Sequence, residues 1–102
     1  MKKTFAAIVK RTEAWDHSKE AHEQEGFEHH AAFVASLDAD NFIAMAGLME
    51  PSTDVLFVFF ADSEEEVRER MAKDPWQQDG HAKLVRLEEV AFRIGAPQPK
   101  GD

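Results

Sequence analysis

The seven residues Val55-Leu-Phe-Val-Phe-Phe-Ala61 are the longest uninterrupted apolar run in the chain, and they narrow its fold more than any other feature. A run of this length matches a β-strand and falls far short of the ~20 residues that cross a bilayer as a helix. A strand in a sheet with one wet face alternates apolar and polar side chains, because successive residues point to opposite faces. This run does not alternate, and neither does Phe42-Ile-Ala-Met-Ala46. Both faces of the sheet therefore need cover.

The segments around these two runs set the element order. Thr4 to Lys10 is a compact apolar stretch closed by charge and reads as a first strand, followed by a polar loop from Arg11 to Glu20 that contains Trp15. From Ser18 or Glu20 to Ala39 the period becomes helical, with Phe27, His30, Ala31, Val34 and Leu37 on one face. Gly26 falls inside this predicted helix, where it costs about 1 kcal/mol relative to alanine. Asn41 to Leu48 and Asp54 to Ala61 then form a hairpin around Glu50-Pro-Ser-Thr53. Ser63-Glu-Glu-Glu66 is a capping box that starts a second helix, and Pro75 stops it at about Lys73. A loop through Gly80 leads to a last strand from Ala82 to Ile94, with a break near Glu88-Glu89. The order βαββαβ is the ferredoxin-like split βαβ arrangement: an α+β fold with an antiparallel sheet and its helices on one face. Residues 1–94 make a single domain and 95–102 a flexible tail. With the helices on one face and no chain left for the other, a homodimer packed sheet on sheet is expected.

Composition removes several functions. Twenty acidic against twelve basic residues in 102 give a net charge of −8, a sign that repels nucleic acid and anionic membrane. There is no cysteine, hence no disulfide, thiolate metal site or thiol nucleophile, and no tyrosine to serve as a phenolic acid. The opening MKKTFAAIVKRTE superficially suggests a secretion signal, but its apolar stretch ends after five residues at Lys10-Arg11. It reads as a strand, and a cytoplasmic protein is expected.

His30 is the candidate chemical group. It lies on the apolar face of the first helix, where a plain core would hold leucine. A core histidine satisfied by a backbone carbonyl is the ordinary reading of such a residue. Asp74 bears on the choice. A carboxylate just past a helix C-terminus opposes the dipole, which points to function, whereas an Asx turn into Pro75 explains it structurally. Spacing leaves both open. His22, Glu25 and His29 share the outer face of the same helix, but residues seven apart lie ~10 Å apart along the axis, so a solvated polar face is expected and no metal site.

Three segments, His30-Ala-Ala-Phe-Val-Ala-Ser-Leu37, Asn41-Phe-Ile-Ala-Met-Ala-Gly47, and Ser63-Glu-Glu-Glu-Val67 running to Asp74-Pro-Trp76 and Gly80, resemble in their order the YCII-related (YciI-like) family. These are small dimeric ferredoxin-like proteins of the α+β-barrel type. The resemblance covers about residues 4–94 and implies that His30 and Asp74 pair in a pocket beside the sheet. The chain departs from the family pattern at Phe27, where an arginine is common, and at Leu48, where proline often follows the Ala-Gly step. Loss of that arginine removes an anion clamp and predicts a pocket more apolar than usual.

With Asp74 accepting from one ring nitrogen of His30, the tautomer is fixed and the other nitrogen faces the pocket as a general acid–base. No serine or cysteine accompanies the pair as a nucleophile. The matching chemistry is proton transfer on a small, largely apolar organic molecule: isomerisation, elimination or dehydrohalogenation, with no cofactor. Phe27, Met45, Gly47, Trp76 and His81 are the expected pocket residues, although ordinary core packing also accounts for the apolar ones. The alternative is a non-catalytic dimer that binds a small molecule in the same pocket. Fold alone does not choose between them.

Overall fold

The computed structural model describes residues 2–100. Four antiparallel strands, β1 (Lys3–Arg11), β2 (Ile43–Leu48), β3 (Val55–Ala61) and β4 (Ala82–Glu89), form one sheet in the order β2-β3-β1-β4. Helix α1 (Phe27–Ala39) lies between β1 and β2, and α2 (Glu64–Met71) and the one-turn α3 (Pro75–Asp79) lie between β3 and β4. This is the expected ferredoxin-like α+β architecture. No described helix is long and apolar enough to cross a membrane. The last two residues of the expected tail, and Met1, lie outside the described residues.

Register explains the two-faced apolar strands. Phe5, Ala7 and Val9 of β1 stand opposite Phe59, Phe57 and Val55 of β3, so these side chains share one face. Leu37, Val67, Met71 and Trp76 from the helices join them in a single buried cluster. Ala6, Ile8, Leu56, Val58 and Phe60 fall on the other face, where Val58 and Phe60 are nonetheless buried within one chain. The C-terminal segment accounts for the cover at one end. Val90 hydrogen-bonds Thr4, and the Lys100 amide reaches the Asn41 side chain, so the segment runs from β1 to the residues just before β2. The premise that no chain remains for the second face is therefore corrected. The rest of that face stays open, with Ala6, Ile8 and Leu56 half-buried and Met45 exposed.

Several boundaries differ from expectation for local reasons. The Ser63 hydroxyl accepts from the Glu66 amide as predicted, but the Glu66 carboxylate reaches back to the amide of Asp62, one residue beyond the expected partner. β4 ends at Glu89 rather than Ile94 as the chain turns to follow Thr4. The segment expected as loop after Pro75 winds into α3, with Pro75 at its first position and Asp74 as its cap. The predicted helix from Ser18 or Glu20 starts only at Phe27, after a single 3-10 turn at Ala21–Glu23.

Gly26 makes that delayed start possible. Its φ of +79° is left-handed, and a Cβ here would stand about 3.5 Å from the Trp76 ring nitrogen. The glycine is therefore the hinge that begins α1, not a weak point within it. Gly26→Ala is expected to lower stability by about 1–2 kcal/mol through backbone strain, measured by urea unfolding. An alanine that stabilises the protein would instead restore the uninterrupted helix.

Candidate active site

The two residues singled out by sequence meet. Asp74 is 2% exposed, and its Oδ1 accepts from His30 Nδ1 at 2.8 Å and from the backbone N–H of Trp76 at 3.0 Å. The second bond is the N-cap of α3, so the aspartate, which follows the end of α2 as the sequence suggested, also meets the start of a second helix. It serves the start of the next helix and is well placed for its charge. The Asx-turn and pairing readings are both realised by one oxygen. Because a carboxylate only accepts, Nδ1 of the neutral ring carries the proton and Nε2 holds the lone pair. No described residue hydrogen-bonds Nε2.

Aromatic packing fixes the rest of the ring. His30 lies flat on the Trp76 indole, centroids 3.8 Å apart and planes within 13°. Trp76 is anchored by its own Nε1–H, which donates to the Glu25 carbonyl at 2.9 Å. Trp15 meets Trp76 edge-on at 5.1 Å, and Phe27 lies 6.1 Å from it. Trp15 owes its position to a buried glutamine. Gln24 Oε1 accepts from the Asp16 amide at 3.0 Å while its Nε2 donates to the Asp16 carbonyl at 2.7 Å. The adjoining loop is closed by Ser18, whose hydroxyl and amide hold the Asp16 carboxyl below the usual carboxylate range. That contribution is complete at neutral pH and fades as pH falls through the lowered value.

These groups surround a cavity of about 330 Å³ between α1, α3 and the sheet, a size that suits a single-ring ligand. Its walls are mostly apolar, from Val9, Trp15, Phe27, Leu48, Phe57 and Trp76, with Arg11, His30 and Asp74 as polar groups. His30 is 18% exposed and also borders a second, open apolar groove between α1 and β2, so its ring stands at a junction of both spaces.

Of the expected pocket residues, Phe27, Gly47 and Trp76 line the cavity, and Met45 and His81 do not. Met45 is displaced by a bulge. Ile43 pairs with Phe59 and Met45 with Val58, so the residue between them is unpaired and the alternation shifts by one. Met45 turns to the second face at 45% exposure, and Ala46 and Leu48 face the cavity instead. His81 is held outside by Asp79, whose Oδ1 lies 2.8 Å from its Nδ1. His22, Glu25 and His29 form no metal-holding group among the described residues.

Sequence reasoning missed Arg11, which enters the cavity wall with its guanidinium 4.1 Å above the Trp15 ring. Phe27 stands where the resemblance leads one to expect an arginine, and the cavity is mostly apolar, but a guanidinium reaches its wall from β1. The signal was present in the alternation of β1, where Arg11 continues the inward series Phe5, Ala7, Val9.

No family model matches the chain, and no curated protein matches it in sequence. Among solved structures it is similar to the 5-chloro-2-hydroxyhydroquinone dehydrochlorinase from Burkholderia phenoliruptrix AC1100, in complex with 2,5-dihydroxybenzoquinone. The TM-score is 0.57 at 18% identity, over 90% of this chain and 95% of that one. The likeness establishes the fold, a small α+β barrel of ferredoxin type.

Proposed function

We propose that this protein is a small acid–base enzyme of the YciI-like kind, in which His30 moves a proton on a single-ring organic substrate and Asp74 positions it. The observation that carries the reading is the 2.8 Å contact between His30 Nδ1 and Asp74 Oδ1 at the wall of a mostly apolar cavity. It leaves Nε2 free to accept a proton in surroundings that weaken competition from water. Trp76 below the ring and Asp74 beside it restrict its rotation, so the lone pair is held in one direction. The structural neighbour is a dehydrochlorinase, and a base-assisted loss of hydrogen chloride suits the same geometry. The base takes a proton from the substrate, the chloride leaves with the carbon–chlorine bonding pair, and the net change is loss of HCl.

Chloride release from 5-chloro-2-hydroxyhydroquinone under anaerobic conditions tests this reading. His30→Gln is expected to lower the rate by about 10²–10⁴-fold without unfolding the protein. A variant within a few-fold of wild type contradicts the role of His30. Binding of 2,5-dihydroxybenzoquinone with no enzyme-dependent chloride release supports the non-catalytic binder instead.

The same reading includes a homodimer through the second sheet face. What supports it is the open apolar strip of Ala6, Ile8, Met45 and Leu56 left by the C-terminal segment. Light scattering at micromolar concentration is expected to give twice the mass of one chain, and a stable monomer contradicts the pairing.

A further inference from the structure

We infer that Arg11 is the residue that selects the ligand, and that the cavity takes a small organic anion whose charge sits on oxygen, either a carboxylate or an ionised enol or phenol. The inference rests on the cavity being the small-molecule site proposed above and specifies what enters it.

Position is the first argument. Arg11 is the last residue of β1, opposite Ala82, and continues the row Phe5, Ala7, Val9 that faces the core. A charged residue at the end of an apolar row is costly unless its charge has a use or a partner. Here no described residue pairs with it or hydrogen-bonds it. Arg68, Arg70 and Arg86 each hold a carboxylate, and the chain has acids in excess of bases. The absence of a partner at Arg11 is therefore not a shortage of anions.

Orientation is the second. The guanidinium lies 4.1 Å above the Trp15 ring, and Trp15 is itself buried and fixed through the Gln24 loop. The contact uses the positive charge of the group and none of its five N–H donors, the fork that matches two oxygens of a carboxylate. The cavity's other charge is already satisfied: Asp74 Oδ1 is shared between His30 and the Trp76 amide. Arg11 is thus the one uncompensated charge on an otherwise apolar wall, an arrangement that binds an organic anion better than its neutral analogue.

Sodium benzoate and benzamide are nearly the same shape and differ in charge, which makes them suitable probes. Each is titrated into the full chain at neutral pH and low salt, and binding is read from the Trp15 indole N–H signal in ¹H–¹⁵N spectra. Wild type is expected to bind benzoate at least about tenfold more tightly than benzamide. Arg11→Met is expected to abolish that preference, bringing the benzoate and benzamide affinities together, and Arg11→Gln provides the same comparison if the Met variant fails to fold. Equal affinities in wild type, a preference that survives in the variants, or no response to benzoate at millimolar concentration overturns the inference. None of these results bears on chloride release in His30→Gln, so the two proposals fail separately.

Discussion

Asp74 Oδ1 joins two parts of the chain that are 44 positions apart. One bond fixes the His30 ring on α1, and the other starts α3 at Trp76, the residue on which that ring lies. The histidine, its hydrogen-bond partner and its stacking surface are thus set by one buried oxygen and the two residues that follow it. A buried carboxylate is expensive to desolvate, and two donors on one atom are what make it tolerable. Removing it would leave a ring nitrogen and a helix amide without a partner together. Structure and site are therefore not separable here, because the cap of α3 is also the anchor of the candidate base.

Around that oxygen the fold supplies enclosure. Trp76 holds the position of Gly26 through the Glu25 carbonyl, Gly26 fixes where α1 begins, and α1 brings His30 back to Asp74. The loop bearing Trp15 adds the wall next to Trp76, pinned by the Gln24 side chain on the Asp16 backbone. Apart from the Gly26 backbone, these links are part-buried hydrogen bonds. The cavity is a gap left by rigid neighbours, which suits chemistry that depends on holding a lone pair in one direction.

Much of this was legible in the sequence because it rests on local signals. The apolar run at 55–61, the Ser63 cap and the Pro51 turn are fixed by residues close together, and they gave the element order correctly. His30 and Asp74 were distinguished by being out of place for a plain core. What escaped notice depends on relations between strands and on backbone signs. The β2 bulge moved Met45 to the far face, and nothing in Phe42-Ile-Ala-Met-Ala46 marks an unpaired residue. Gly26 reads as a flaw in a helix until its positive φ shows it to be the boundary. Arg11 reads as the first residue of a polar loop, whereas β1 runs through it and pairs it with Ala82, so the strand's alternation brings it to the cavity.

The central claim is that Asp74 fixes His30 with its proton on Nδ1 and its lone pair on Nε2. Long-range ¹H–¹⁵N correlation of the His30 ring, recorded at a pH where the ring is neutral, reads this directly. The account predicts a protonated Nδ1 and an unprotonated Nε2 as the dominant tautomer. A dominant Nε2–H tautomer would mean that the cavity is offered a donor and not a base, and would contradict the account at its foundation.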